Sequence, residues 1–168
     1  MKNIPKLYLI FLILLTSIGC DQISKNIAKA TLEQSPPRSY LGETFRLQYV
    51  ENTGAFLSLG SGLSKTFRIL LFTVLSGLLL LGLFFYILKN RNLPGKQILA
   101  FSMILGGGAS NMIDRIINDG RVIDFMNMGI GNLRTGIFNL ADVLIMTGMG
   151  LILFFSIKTK RNQPGADT

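Results

Sequence analysis

The sequence predicts an α-helical integral membrane protein with four transmembrane helices and a small extracytoplasmic β element between the first and second. Three observations predict this class. The 168 residues are 49% hydrophobic with a mean hydropathy of +0.45, which is too apolar for an ordinary soluble domain. The apolar residues form long blocks, and the basic residues behind the net charge of +8 cluster at the ends of those blocks.

A helix that spans a membrane needs about 20 apolar residues. The second block, Phe67 to Leu88, and the fourth, Ile137 to Ile157, qualify directly. The first, Leu7 to Cys20, continues as an amphipathic helix through Asp21, Lys25 and Ala28. The third, Gln97 to Ile117, ends in polar residues. The first and third therefore qualify if their polar ends face protein or the interface.

The distribution of charge favours both termini in the cytoplasm. By raw count the two sides of the membrane carry nearly equal numbers of basic residues, but the charges on the outer side are mixed in sign and many lie in helix ends as predicted ion pairs. The cytoplasmic side has Asp167 as its one acidic residue. Its basic residues are Lys2, Lys6, Lys89, Arg91, Lys96, Lys158, Lys160 and Arg161.

We expect one membrane domain, 1–168, with an extracytoplasmic insertion at about 30–65 and a cytoplasmic tail at about 158–168. In the insertion Phe45, Leu47 and Tyr49 alternate with polar residues, which predicts a half-buried strand. Ser35-Pro36-Pro37 and Gly60-Ser61-Gly62 punctuate its flanks. A smaller extracytoplasmic stretch, Asn118 to Gly136, is predicted to be a loop.

Composition excludes several kinds of site. With no histidine, the chain has no Ser-His-Asp triad, Cys-His pair or H-E-x-x-H zinc site. We expect no cofactor, no metal and no nucleic-acid partner. Cys20, the only cysteine, ends a run that looks like a lipoprotein signal peptide, but Ser17 stands where such a signal prefers an aliphatic residue. We therefore interpret Cys20 as part of the first membrane helix.

Unusual polar residues gather at one predicted membrane face, and this convergence favours a functional site there. Taken singly, each has a structural interpretation: Asp21 and Lys25 as an interfacial ion pair, Asp114 and Arg115 as a structural pair that ends the third helix, and Asp142 as a helix N-terminal carboxylate. The gathered residues are Asp21, Lys25, Asn52, Gly54, Asn111, Asp114, Arg115, Asp124, Asn139 and Asp142.

Five ordered blocks carry a resemblance to a known family. They are Asp21-Gln22-Ile23-Ser24-Lys25, Asn52-Thr53-Gly54-Ala55-Phe56, Gly107-Gly108-Ala109-Ser110-Asn111-Met112-Ile113-Asp114-Arg115, Val122-Ile123-Asp124-Phe125 and Phe138-Asn139-Leu140-Ala141-Asp142. In order, spacing and placement they resemble the signature blocks of lipoprotein signal peptidase, also called signal peptidase II. The resemblance covers nearly the whole chain up to about Lys158. Two residues depart from the pattern: Ser110 stands where glycine is common, and Val143 where serine is common.

The resemblance implies an aspartic-type intramembrane endopeptidase of the bacterial cytoplasmic membrane, with its active site near the extracytoplasmic face. It implies cleavage of diacylglyceryl-modified prolipoproteins just before the lipidated cysteine, with membrane lipids as further partners, and we expect a monomer. Asp124 and Asp142 would be the catalytic residues. Asn52, Gly54, Asn111, Arg115 and Asn139 would bind substrate, and Asp21, Lys25 and Asp114 would give structural support.

Two other interpretations remain open at this point. A small membrane protein with buried carboxylates is also typical of a proton-coupled transporter or an assembly factor, although transporters usually have internal repeats and midplane carboxylates. A serine–lysine protease that uses Lys25 or Lys65 needs a lysine deprotonated by burial, and no serine is clearly poised beside either.

Overall fold

The computed structural model describes residues 5–54, 60 and 62–161. Its helices are α1 (Lys6–Leu32), α2 (Lys65–Arg68), α3 (Ser76–Lys89), α4 (Gly95–Ile117) and α5 (Leu140–Arg161), and a π-helical segment (Ile69–Leu75) connects α2 to α3. Its strands are β1 (Arg38–Tyr40), β2 (Phe45–Asn52), β3 (Val122–Ile130) and β4 (Leu133–Arg134). Several residues of the sequence argument lie outside the described ranges: Lys2, Ala55, Phe56, Ser61 and the tail after residue 161.

Within those ranges, three helical stretches are long and apolar enough to cross a membrane: Lys6–Leu32, Lys65–Lys89 and Leu140–Lys158. The protein is therefore mostly helical and of membrane type. At 23 residues α4 has a similar length, but its glycines and polar side chains dilute its apolar character.

The first apolar block and its predicted amphipathic continuation form one uninterrupted helix. It begins directly after Pro5 and ends at Leu32, shortly before Pro36 and Pro37, which cannot continue a helix. The second block differs from expectation, because Ile69–Leu75 is π-helical. Nothing in its apolar sequence signals this change of winding, and such segments often mark functional regions.

The helix α4 lies against three other helices, and consecutive glycines permit this. A Cβ atom added at Gly106 would lie 2.6 Å from Ser17 Cβ of α1, and one at Gly107 would lie 2.5 Å from the Ala141 carbonyl oxygen of α5. One at Gly108 would lie 2.5 Å from Leu80 Cδ2 of α3. Because successive helical residues point in directions about 100° apart, each glycine admits a different neighbour.

The strands form one antiparallel sheet in the order β1-β2-β3-β4. β1 and β2 lie in the stretch between the first two apolar segments where a β element was predicted, and the sheet also includes β3 and β4 from the chain between α4 and α5. The expected loop around Asp124 is strand β3. Asp124, Asn127 and Gly129 are residue types depleted in strands, so the pattern was hidden. Pairing with β2 overrides their propensity, and Val50 lies opposite Asp124.

The predicted alternation in β2 is not expressed as alternating burial, because most of the strand is half-buried. Its register against β3 shifts between Leu47 and Val50. Leu47 and Tyr49 nevertheless pack beside a buried cluster of Ala28, Leu32 and Phe125. This cluster fixes the sheet to the end of α1.

Sharp chain reversals bring β3 back to the end of α4. The Asn118 N–H donates to the Asp114 carbonyl, and the Gly120 N–H donates to the Arg115 carbonyl, each at 2.7 Å. Asp119 and Gly120 adopt left-handed backbone conformations with φ of 54° and 84°, as is common just after a helix. The reversal turns the chain at the polar end of α4 directly into β3, the strand that carries Asp124.

Candidate active site

Asp124 lies on β3 and is buried, with 2% of its surface exposed. Its Oδ2 accepts a hydrogen bond of 2.9 Å from Asn52 Nδ2, and its Oδ1 accepts one of 2.7 Å from Asn139 Nδ2. The side-chain carbonyl of Asn52 accepts from the Gly54 N–H at 2.9 Å, so a local turn orients its amide toward Asp124.

Asp142 lies in the first turn of α5, and Asn139 is the residue directly before that helix. The predicted fourth segment began at Ile137, but Phe138 forms a β-bridge with Met126 and the helix starts at Leu140. Asn139 Oδ1 accepts from the Asp142 N–H at 2.9 Å, and Asp142 Oδ2 accepts from the Asn139 N–H at 3.1 Å. These reciprocal bonds form a capping box, which fixes the Asp142 side chain at the helix end.

Asn139 joins the two carboxyl groups. Its side-chain amide donates to Asp124, while its backbone and side-chain carbonyl engage Asp142. Asn111 Nδ2 holds the other oxygen of Asp142 at 3.0 Å, and Asn111 Oδ1 accepts from Asn139 Nδ2 at 3.2 Å. The fold of the chain between α4 and α5 therefore brings Asp124 and Asp142 to a shared set of asparagines.

The surroundings of Asp124 favour its neutral form. Burial is the largest influence and raises its pKa to about 7, and the nearby charge of Asp142 acts in the same direction. Hydrogen bonds from Asn52 and Asn139 and the charge of Lys25 act against this rise without cancelling it. A carboxyl group with such a pKa exchanges its proton near neutral pH.

Asp21, Lys25 and Asp114 form a buried cluster behind the asparagines, which corrects one expectation. The predicted Asp21–Lys25 pair exists, at 2.7 Å, and the two residues are 0% and 1% exposed. Asp114 pairs with Lys25 at 2.9 Å and not with Arg115. Arg115 instead donates from Nη2 to the Gly54 carbonyl at 3.3 Å.

Two residues of this cluster were missed by the sequence argument. Gln22 Nε2 donates to Asp114 Oδ1 at 2.7 Å and to Ser110 Oγ at 3.0 Å. Ser110, one of the two departures from the family pattern, donates to Asp21 Oδ2 at 2.7 Å. Ser110 lies four residues before Asp114 on the same helix, so this spacing could have placed Ser110 on the face of the cluster from the sequence alone. Val143, the other departure, is 40% exposed on α5.

A groove of about 440 Å³ runs between α3, α4 and α5 and reaches the Asp142 side chain. Most of its wall is apolar, and Asn111 and Arg115 supply polar groups at the end near Asp142. The remaining lining residues are Ser76, Leu79, Leu80, Leu83, Ile104, Gly108, Ile145, Met146 and Met149. The groove can accommodate an apolar chain whose polar end lies beside the carboxyl groups.

The described part of the chain has no group of three or more histidine, cysteine, aspartate or glutamate side chains that could hold a metal ion. The chemistry that its paired carboxyl groups can support is general acid–base catalysis.

Comparison with known proteins gives this arrangement a family. The family model described as signal peptidase (SPase) II matches residues 13–158. The lipoprotein signal peptidase of Treponema denticola is 34% identical over 169 residues, covering 96% of this chain and 98% of that protein. That of Borreliella burgdorferi (strain ZS7) is 32% identical over 157 residues, covering 90% of this chain and 91% of that protein.

The fold has a counterpart among solved structures. A bacterial membrane enzyme determined by the in meso method at 2.3 Å resolution superimposes with a TM-score of 0.80 at 25% identity. The superposition covers 95% of this chain and 93% of that chain. The predicted resemblance is thus confirmed along nearly the full sequence, and the chain belongs to the signal peptidase II family.

Proposed function

We propose that this chain is an aspartic endopeptidase that removes the signal peptide from diacylglyceryl-modified bacterial prolipoproteins by cutting just before the lipidated cysteine. Family membership and the names of its relatives support the reaction. The observation that carries the assignment of residues is the joining of Asp124 and Asp142 through Asn139.

In the proposed mechanism the two carboxyl groups share one proton, because two neighbouring carboxylates cannot both ionise cheaply. The ionised member takes a proton from water as the water oxygen attacks the scissile carbonyl carbon. The protonated member donates to the carbonyl oxygen. When the tetrahedral intermediate collapses, the C–N bond breaks and the leaving amine takes a proton from the pair. The shared proton belongs to the pair and not to either residue alone.

The groove between α3, α4 and α5 is the proposed binding site for apolar substrate. Its open apolar wall suits an acyl chain or an apolar signal-peptide segment, and its polar end brings a peptide bond to Asp142. Arg115 has a buried Nε that lacks a hydrogen-bond partner within the described ranges. In the proposed complex this nitrogen donates to a substrate carbonyl, which satisfies both groups.

The proposed membrane arrangement has α4 as a fourth spanning helix and both termini in the cytoplasm. Its length of 23 residues and its glycine-mediated contacts with α1, α3 and α5 support a span enclosed by protein. The sheet adjoins the C-terminal ends of α1 and α4 and the start of α5. In this arrangement the site opens to extracytoplasmic water, and the insertion at about 30–65 lies on the same side and covers the site. The tail is cytoplasmic. The enzyme acts as a monomer among membrane lipids.

The test replaces each proposed catalytic residue with its amide. Asp124→Asn and Asp142→Asn should abolish cleavage of a purified lipid-modified proprotein, seen as loss of the mobility shift on a gel. Both variants should still insert in the membrane. Either variant with substantial activity would refute the pair.

Asp119→Asn is the matched control. Asp119 is exposed, lies between α4 and β3, and forms a surface ion pair with Lys65 at 2.7 Å. Its φ of 54° is tolerated by asparagine. This variant should cleave as the parent does, and a strong loss would show that any Asp→Asn change near the site is damaging.

A further inference from the structure

Lys25 places a positive charge behind the proposed active site without lining the groove. Its side chain is 1% exposed, and its Nζ lies 2.7 Å from Asp21 Oδ2, 2.9 Å from Asp114 Oδ2 and 2.8 Å from Asn111 Oδ1. An ammonium group has three N–H donors, and each of these has an acceptor here. We call Lys25 with these three acceptors the lysine cluster.

Each acceptor of the lysine cluster also accepts or donates a hydrogen bond at or next to Asp124 or Asp142, the two proposed catalytic residues. Asp21 Oδ1 accepts from the backbone N–H of Ala141, the residue before Asp142, at 2.8 Å. Asp114 Oδ2 accepts from the backbone N–H of Ile123, the residue before Asp124, at 3.0 Å. The backbone N–H groups directly before Asp124 and Asp142 are therefore each bound by a carboxylate, and both carboxylates pair with Lys25.

The third acceptor acts on a side chain. Because Lys25 donates to Asn111 Oδ1, the Nδ2 of Asn111 must face the other way, and it donates to Asp142 Oδ1 at 3.0 Å. Without the lysine, nothing in this set of contacts prefers that orientation of the amide except the bond from Asn139. Lys25 thereby selects the donor face that Asp142 meets.

The burial of these charges makes the arrangement rigid. A buried ammonium or carboxylate is tolerated only with partners and well-formed hydrogen bonds, and removal of one partner leaves the others uncompensated. Lys25, Asp21 and Asp114 are all nearly inaccessible. A movement of the backbone at Asp124 or Asp142 therefore strains the whole cluster.

We propose that Lys25 is a positioning residue. It holds the backbones beside Asp124 and Asp142 and the side-chain amide of Asn111 in the positions that cleavage requires. The proposal rests on the proposed function for its catalytic consequence. Its structural part, the restraint of the Ile123 and Ala141 amides, is independent of any activity.

The test compares Lys25→Met with Lys29→Met in the full-length purified protein. Lys29 lies one turn further along α1 and is exposed, so its replacement removes the same charge without touching the cluster. In Lys25→Met the amides of Ile123 and Ala141 should exchange with deuterium faster than in the parent, and kcat should fall roughly 10²-fold as the aspartates lose alignment. KM should stay near the parental value, because Lys25 does not line the groove. Lys29→Met should match the parent in all three measurements.

Two single replacements separate the branches of the cluster. Asp21→Ala should accelerate exchange at Ala141 more than at Ile123, whereas Asp114→Ala should do the reverse. Parental exchange at both amides in Lys25→Met, or a rise in KM with kcat preserved, would overturn the proposal.

A variant that buries fewer unpaired charges covers the case in which Lys25→Met does not fold. Lys25→Met with Asp114→Asn removes one cation and one anion, and it should still show fast exchange at Ala141 and a reduced kcat. Slow exchange there would overturn the proposal. If the parent itself fails to cleave a lipid-modified proprotein, the proposed function fails, while the exchange measurements still decide the role of Lys25.

Discussion

Asn139 shows why one residue type is needed at the centre of the site. Its side-chain carbonyl caps α5 through the Asp142 N–H, and its side-chain amide donates to Asp124. An aspartate could provide the first bond but not the second, and an alanine could provide neither. The asparagine thus couples the start of a helix to a carboxyl group on a strand.

We predict that Asn139→Asp separates catalysis from stability. The helix cap remains, because aspartate caps as well as asparagine, but a third carboxylate replaces the donor between Asp124 and Asp142. Cleavage should fall by about 10²-fold or more, as when a donor to a reacting group is removed. Asn139→Ala should also lose about 0.5–2 kcal/mol of stability, measured by thermal unfolding in detergent. A fully active Asn139→Asp variant would contradict the bridging role.

The raised pKa of Asp124 predicts how activity depends on pH. Cleavage needs one proton on the pair, and the burial of Asp124, which raises its pKa to about 7, retains that proton on the pair up to about this pH. Activity in detergent should therefore decline as pH rises through and above about 7. A rate that stays constant well above that pH would contradict the assignment.

The same shift has an effect on stability, and Asp124→Asn isolates it. A carboxyl group with a raised pKa in the folded state stabilises the fold fully below its unfolded value of 3.8, and that contribution is lost as pH rises toward about 7. The melting temperature of the parent should fall over this interval more than that of Asp124→Asn. Parallel curves for the two proteins would show that Asp124 is not perturbed.

At the scale of single residues, the sequence indicated which side chains gather but not how they pair. That Asp124 and Asp142 lie together was expected only from the family resemblance, because eighteen positions separate them in the sequence. Among the partners of Lys25, Asp21 was expected from its i, i+4 spacing. Asp114 and Asn111 were not, because they lie on α4 and no local spacing joins them to Lys25. Long-range hydrogen bonds of this kind depend on how helices rotate about their axes, which one sequence does not define.

Among the elements, the contact between α4 and α5 is the one that sets the site. Gly107 faces the Ala141 carbonyl, and Gly148 on α5 faces the Ala100 carbonyl of α4, where an added Cβ would lie 2.6 Å away. Both contacts require glycine because the obstacle is backbone and cannot move aside. Only Gly107 lies beside the residues that hold Asp142.

We predict that Gly107→Ala and Gly148→Ala both destabilise the protein, by the roughly 1–3 kcal/mol typical of overpacking. Gly107→Ala should in addition reduce kcat, because it displaces the first turn of α5 from Asn111. Thermal unfolding and cleavage assays on the same preparations measure the two effects.

Gly150→Ala is the control for these variants, since an added Cβ there meets nothing within 4 Å. It should leave stability and activity close to parental. Equal loss of activity in Gly107→Ala and Gly148→Ala would show that spacing near Ala141 has no special importance.

The long helices were predictable because a helix that is buried in lipid needs a long run of apolar residues, and such runs are visible in the sequence. The sheet was only half predictable. In β2, Phe45, Leu47 and Tyr49 alternate with polar residues as in a strand, whereas β3 contains Asp124 and Asn127, whose side chains form the hydrogen bonds of the site and of the turn. Polar residues inside β3 thus masked its strand character. The π-helical segment had no signal, since an apolar run reads the same in either winding.

For the molecule as a whole, the proposed orientation makes a prediction that does not involve catalysis. With both termini cytoplasmic, green fluorescent protein fused after residue 168 should fluoresce. Alkaline phosphatase fused at the same place should be inactive, because it needs an oxidising compartment. The opposite pair of results would reverse the topology and put the sheet in the cytoplasm.

The hydrogen bond from the Ala141 N–H on α5 to Asp21 on α1 joins the first and the last of the helices α1 to α5 to be synthesised. During synthesis, a chain that has inserted only as far as α4 already contains Lys25 and its three acceptors, yet it lacks both Asn139 and Asp142. On the proposed assignment of Asp124 and Asp142, hydrolytic competence therefore arises only after the start of α5 has been synthesised. On the same assignment, a chain that terminates before α5 is inert in the membrane even though its lysine cluster is complete.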